Sequence, residues 1–346
     1  MVLVTGATGI LGRVLVLELL KSGKKVRAAK RPSSNLQEVR DSFSNYIDEP
    51  SFFFKQIEWV DIDLNDCQSI AAALKGIDEV YHCAAKVSYD PADRREIIQV
   101  NVTGTINIVN CCKSSDVRKF LYVGSAAIFD IRKNAGTIRE KSKVISGKRN
   151  TLYAISKKLA ENAVLSATSN KLKTVIVHPG LIIGSGSGNN KSGGFLKILA
   201  ENNYTFSGGT GCVDVRDVAK IAVLLMAKEL SGERFILSSE NCTYKKLSEM
   251  IKIKMNARKA FLIPKVVLNA GRILNFLTGG ILPGLRLLSR PNIEFLSTYQ
   301  KISGSKLAKL LNYNFIPVQN SVDFHIGNMI ESKRRKKADN NQVLLI

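Results

Sequence analysis

Along the chain, short uninterrupted apolar runs alternate with longer stretches in which apolar residues recur every three or four positions. Val2, Leu3, Val4 and Thr5 read as a buried strand; after glycines at 6, 9 and 12, Leu15 and Leu19 form a helical stripe with Val16 and Leu20 beside it. Further strands are predicted over residues 25–30, 57–62, 79–83 and 119–123. Helical segments are predicted between them, over 35–46, 67–74 with Asp66 as its cap, and 94–113. A helix starting at Thr151 follows, then others over 195–201, 215–228 and 243–255, with a strand over 234–237 assigned to a second lobe. This alternation predicts an α/β fold, a doubly wound parallel sheet of Rossmann type with a smaller C-terminal lobe. The expected division is residues 1–180 with 213–230 returning to them, then 181–330 as the substrate lobe, then a basic frayed tail over 331–346.

The first strand and helix flank TGATGILG, residues 5–12. Glycines let the backbone turn tightly and let an anion approach the main chain, while a new helix aims unpaired N–H groups and its positive end at that anion. A dinucleotide pyrophosphate is the expected ligand, held by Thr5, Gly6, Thr8, Gly9, Ile10 and Gly12. The glycines could equally serve an ordinary turn.

The end of the second strand bears on which dinucleotide fits. A carboxylate there grips the ribose 2′-hydroxyl of NAD and repels a 2′-phosphate. This chain has Lys30-Arg31 instead. Arg31 is placed to pair with the 2′-phosphate, so NADP is the expected cofactor, with NAD as the alternative if Arg31 is only a solvated charge. Ala84 and Ala85, small residues after the fourth strand, allow either close approach of the cofactor or close packing.

Tyr153 and Lys157 stand four apart on a predicted helix and share a face. An ammonium beside a phenol, with a cationic cofactor ring, favours the phenolate and brings Tyr153 into acid/base range. Ser125 closes the fifth strand ahead of them.

TGATGILG, Asp63-Leu64, NVTGT (101–105), Ser125 and YAISKKLAE (153–161) together resemble the extended short-chain dehydrogenase/reductases, often labelled NAD-dependent epimerase/dehydratase. The resemblance runs on through HPGLIIG (178–184), VDVRDVAK (213–220) and SKLAKLLNY (305–313). It implies that Tyr153 is the general acid/base, that Lys157 lowers its pKa and bonds the nicotinamide ribose, and that Ser125 orients the substrate oxygen. It further implies that Asn101 braces the site, that Asp63 and Leu64 meet the adenine, and that Pro179, Leu181 and Ile182 meet the nicotinamide end.

Departures from the family pattern narrow the reaction. Where sugar-nucleotide dehydratases carry an Asp-Glu pair this chain has Ala126-Ala127, so elimination lacks its acid and base. The arginine that many nucleotide-sugar epimerases place just before the stretch matching 213–217 is missing from 208–212. Phe129-Asp130 replaces a usual Tyr-Gly and is expected to alter the loop beside the substrate. The stretches VRAAKRPSSN (26–35) and HCAAKVS (82–88) look closest to dihydroflavonol reductases and 3β-hydroxysteroid dehydrogenases. The expected activity is therefore hydride transfer between a carbonyl and an alcohol on a bulky, largely apolar molecule. The alternatives are an NAD-dependent nucleotide-sugar epimerase, or a non-catalytic dinucleotide sensor or RNA-binding relative.

Composition adds a charge question. With 346 residues, 45% hydrophobic and 23% charged, the chain is ordinary for a globular protein, but 51 basic against 29 acidic residues give +22. Such an excess favours anionic lipid, nucleic acid or a phosphate-rich cofactor, or is a solvated basic surface; no aromatic-interleaved basic stripe supports specific nucleic-acid binding. Six cysteines without CxxC pairs and three histidines at no ligand-like spacing make a metal site unexpected and fit a cytoplasmic protein. The apolar run 261–288 holds Lys265, Arg272 and Arg286, and its longest uncharged piece, 273–285, is too short for the about 20 residues a span needs. It reads as a wall of the substrate lobe or as an interfacial membrane contact at the protein surface. The loop 184–194 reads as a cover over substrate or a plain surface loop, and a homodimer is the expected assembly.

Overall fold

The computed structural model of the chain describes residues 1–130, 136–147, 150–185, 194–278 and 281–343, without side chains at 194, 283 and 335–343. Among these residues one parallel sheet holds β1 (Val2–Thr5), β2 (Val26–Lys30), β3 (Glu58–Asp61), β4 (Glu79–His82), β5 (Lys119–Val123), β6 (Lys173–Pro179) and β10 (Glu233–Leu237). Their order is β10-β6-β5-β4-β1-β2-β3. The direction of winding reverses between β1 and β4, which share the register Val2↔Glu79 to Thr5↔His82. Open α/β sheets bind ligands at the carboxyl ends of strands flanking such a reversal.

The pleat explains why both faces need helices. Val2 and Val4 point into one apolar cluster with Leu15 and Leu19 of the Ile10–Lys21 helix and Val218 and Leu225 of the Val215–Met226 helix. Leu3 points the other way, to Ile70, Ile108 and Val164 on the Cys67–Ala73, Gly104–Lys113 and Leu152–Ala167 helices. Truncating one such leucine to alanine costs about 2–5 kcal/mol. Asp66 caps its helix as expected, accepting from the Gln68 amide.

β10 corrects the expected second-lobe strand: it pairs with β6 in parallel register, Glu233↔Val175 to Leu237↔Pro179. Phe235 and Leu237 bury toward one cluster and Ile236 toward another, so the strand is apolar on both faces, as parallel sheets require.

The smaller sheet, β11-β9-β7, is formed by β7 (Leu181–Ile183), β9 (Gly209–Asp214) and β11 (Glu240–Thr243); β8 (Tyr204–Phe206) pairs with β12 (Phe261–Ile263). Leu247 and Ile251 pack there against Val318, Val322 and Ile326 of the Val318–Val343 helix. That helix continues through the segment expected to fray from 331. Residues 328–343 contain no glycine or proline and many strong helix formers. Asp217 accepts from the Tyr313 hydroxyl at 2.8 Å and the Ile316 amide at 2.9 Å, which ties the VDVRDVAK and SKLAKLLNY motifs together. Apart from Gly184, Ser185 and the backbone of Gly194, the loop read as a cover lies outside the described residues, as do the side chains of 335–337 in the basic cluster.

Candidate active site

The predicted site residues gather along one edge of the sheet. Thr5 ends β1, Arg31 follows β2, Asp63 follows β3, Ala84 and Ala85 follow β4, Ser125 follows β5 and Pro179 ends β6.

At the glycine turn the backbone leaves no room for side chains. Gly6 has φ +67°, and a Cβ on it would stand 2.7 Å from the Ala84 nitrogen; one on Gly12 would stand 2.0 Å from the Gly6 oxygen. Gly9 is the N-cap of the Ile10–Lys21 helix and supplies no side-chain cap, so the first turn of N–H groups faces outward without one. This cradle fits a pyrophosphate. Thr8 gives its carbonyl to Arg13 at 2.7 Å, and Ile10 packs on Gly184. Lys30 is held by Asp61 at 2.5 Å. Among the described residues nothing holds the guanidinium of Arg31, which is exposed at the strand end. Asp63 commits Oδ1 to Asn65, at 2.9 Å to the amide and 3.0 Å to the side chain. Leu64 packs on Gly104 and gives its carbonyl to Asn107 at 2.9 Å.

Thr5 turns inward. Its hydroxyl meets His82 Nδ1 at 2.7 Å, His82 Nε2 meets Thr105 Oγ1 at 3.0 Å, and Thr105 donates to the Asn101 carbonyl at 2.7 Å. Burial, with Lys157 nearby, pushes His82 down to about 3, so the ring stays neutral and bridges two hydroxyls. Asn101 lies in a π-helical turn, Ile98–Thr103, between the Arg94–Ile97 and Gly104–Lys113 helices. Turns of this kind recur at functional sites. Its Oδ1 accepts from the Lys86 amide at 2.7 Å, while Nδ2 donates to the Lys86 carbonyl at 3.0 Å and to Ser156 Oγ at 2.9 Å.

Ser156 in turn donates to the Tyr153 carbonyl at 2.7 Å. Thr151 caps this helix by accepting from the Ala154 amide. Tyr153 is pushed up by burial, opposed by the nearby Ser125 hydroxyl. Ser125 also caps the short turn Ala126–Ile128. Lys157 departs from expectation: its Nζ donates to the Val123 carbonyl at 2.7 Å and stands 4.8 Å above the Tyr122 ring. The chain alone therefore does not lower Tyr153 through Lys157. A buried ammonium gains most from the nearest carbonyl, and burial brings Lys157 itself down to about 8.

Tyr89 escaped the sequence reading. Its ring lies 6.1 Å from that of Tyr153 and stacks on Phe295 at 5.4 Å, so Tyr89 stands between the Tyr153 phenol and an aromatic side chain from far along the chain. Asn292 Nδ2 holds the Tyr89 carbonyl at 2.9 Å. The only available signal was an aromatic residue soon after β4, which does not reveal a partner two hundred positions away. His82 is one of three histidines whose spacing suggests no metal site, and its place as a buried bridge needs tertiary contacts to be seen. Phe129 is buried edge-on against His178 at 5.4 Å, and Asp130 beside it is buried too, so both side chains point into the protein. Leu181 and Ile182 are half-buried in β7, adjoining Pro179.

Comparison with known proteins agrees with this geometry. Residues 2–238 match the NAD dependent epimerase/dehydratase family. Sterol demethylase protein B of Methylococcus capsulatus is 32% identical over 244 residues, covering 70% of each chain. Dihydroflavonol 4-reductase of Callistephus chinensis is 27% identical over 268 residues, covering 73% of this chain and 72% of the relative. Among solved structures, the Bordetella bronchiseptica enzyme WbmH in complex with NAD+ has the same fold, with a TM-score of 0.71 and 17% identity over 95% of this chain and 98% of that one. The chain, with its uncapped glycine turn, seven-stranded sheet and Ser125–Tyr153 pair, belongs to the NAD-dependent epimerase/dehydratase family.

Proposed function

We propose that the protein is an NADP-preferring reductase that interconverts a carbonyl and an alcohol on a bulky, largely apolar small molecule. The observation that carries this reading is the buried Tyr153 phenol, with the Ser125 hydroxyl beside it and the Tyr89 ring 6.1 Å away. Burial keeps the phenol protonated at neutral pH, which suits a proton donor to a substrate oxygen that gains negative charge. Ser125 orients that oxygen and helps stabilise its charge. Asn101 and Ser156 fix the start of the Tyr153 helix. The dinucleotide supplies the hydride when bound. The uncapped helix N-terminus holds its pyrophosphate, Arg31 meets a 2′-phosphate, and Lys157 serves the ribose.

In this reading residues 1–180 and 213–230 hold the dinucleotide and 181–330 hold the substrate, with β10 added to the first unit. The protein works in the cytoplasm as a homodimer, and its excess positive charge supports peripheral contact with an anionic membrane. The named reductase among the relatives supports an apolar substrate, as does Ala126-Ala127, which supplies no carboxylate for elimination.

The test is NADPH consumption with purified protein across bulky apolar ketones and aldehydes, with NADP+ and the matching alcohols in reverse. Turnover that Tyr153→Phe abolishes supports the proposal. A tightly retained NAD with binding of uridine-diphosphate sugars and no net turnover would replace it with the epimerase reading.

A further inference from the structure

Residues 250–293 contain eight basic residues and no acidic one. Within this stretch the Lys265–Leu277 helix leaves one apolar face in solvent. Val266 is 77% exposed, Phe276 84% and Leu277 73%, and Ile281, just beyond the helix, 80%. Phe261, Leu262, Ile273, Leu274 and Leu282 extend the same exposed surface. Only Leu268 of the helix is buried. Apolar area of this extent on a soluble lobe marks an interaction site.

Charge chooses the partner. Lys254, Arg258, Lys259, Lys265 and Arg272 are exposed within or next to the apolar surface, and among the described residues none has an acidic partner. A second copy of this chain would bring the same positive charges against them. An anionic lipid surface offers both what the apolar side chains lack and what the cations lack. At about 1.5 Å per residue the helix is too short to span a bilayer, and among the described residues no helix is long and apolar enough to do so. Lying in the interfacial plane is the remaining geometry.

We propose that the face formed by the Lys265–Leu277 helix with Ile281 and Leu282 is a docking surface for an anionic lipid bilayer. The proposal rests on the membrane contact in the reading above and assigns it to a surface; it does not depend on the reductase chemistry. The surface also adjoins the site. Arg286 reaches Asp90 at 3.6 Å and Asn292 holds Tyr89, the residue whose ring faces Tyr153.

Flotation with phosphatidylcholine vesicles, with and without phosphatidylglycerol, tests this on the full chain. The wild type is expected to float with the anionic vesicles only. Phe276→Glu combined with Ile281→Glu is expected to weaken vesicle affinity about tenfold or more, with thermal melting and dinucleotide binding unchanged. A variant with glutamine at Lys333, Arg334, Arg335, Lys336 and Lys337 is expected to float like the wild type. If the double Glu variant floats as well as the wild type and the tail variant does not, the surface is misassigned although membrane contact stands. If the wild type fails to float and sediments as a dimer that Phe276→Glu dissociates, the face is a homodimer interface and the proposal is overturned.

Discussion

Asn101 Nδ2 and Ser156 Oγ stand 2.9 Å apart, and this contact joins the π-helical turn after β4 to the first turn of the helix that carries Tyr153. Through Thr105, His82 and Thr5 the same chain of hydrogen bonds reaches the end of β1, beside Gly6. The glycine turn and the helix that carries Tyr153 thus hang on one buried polar network.

Asn101→Ala removes three side-chain hydrogen bonds, one to Ser156 and two to Lys86, and leaves the Lys86 amide and carbonyl to find other partners. A loss of about 1–3 kcal/mol is expected in urea unfolding. Activity should fall through kcat more than through KM for substrate, because the helix start that positions Tyr153 loosens. An unchanged kcat would mean that Ser156 alone fixes the helix.

At Gly12 a methyl group would press within 2.0 Å of the Gly6 oxygen, a backbone atom that cannot swing aside. Gly12→Ala is expected to abolish dinucleotide binding in fluorescence titration and to lower the melting temperature. Gly23→Ala, where φ is +75° but nothing lies within 4 Å, is expected to cost stability only.

His82 makes stability depend on pH. Burial, with a smaller push from Lys157, takes it from 6.5 to about 3 in the folded protein. Between those values the unfolded chain binds a proton that the folded chain refuses, so stability falls as pH drops from 6.5 toward 3. This residue contributes a slope of about 1.4 kcal/mol per pH unit. His325, also lowered by burial, adds a slope of the same sign. His82→Gln is expected to flatten the stability profile between pH 6 and 4.5, measured by urea unfolding. A profile identical to wild type would remove His82 from the account.

Arg31 and Lys30 differ in what already holds them, since Asp61 takes Lys30 and nothing among the described residues takes Arg31. Arg31→Asp is expected to weaken NADPH binding at least about tenfold and to leave NADH binding nearly unchanged. Equal affinity of the wild type for both dinucleotides would make Arg31 a surface charge.

Much of the sheet could be read from local pattern, because each strand is a short apolar run and each helix has a stripe or a cap of its own. Asp66, Thr151 and Thr243 all cap the helices they precede. β10 was misplaced because a strand's apolar run says that it is buried and not which sheet buries it. The glycine turn, Ser125 and the Tyr153–Lys157 pair were legible because their spacing is fixed within one turn or one helix. Tyr89 with Phe295, and Thr5 with His82, were not, since each joins residues far apart in the chain. The orientation of Lys157 toward Val123 was also hidden: i,i+4 spacing puts two side chains on one face without saying which acceptor the longer one finds.

The central claim is hydride transfer to an apolar carbonyl with Tyr153 as proton donor. The most direct measurement is incubation of the purified protein with NADPH carrying deuterium at both C4 positions of the nicotinamide and a bulky apolar ketone, followed by mass spectrometry of the product. The account predicts one deuterium on the carbinol carbon, with a rate at least about 100-fold lower in Tyr153→Phe. Unlabelled product, or label transfer that survives loss of the phenol undiminished, would contradict it.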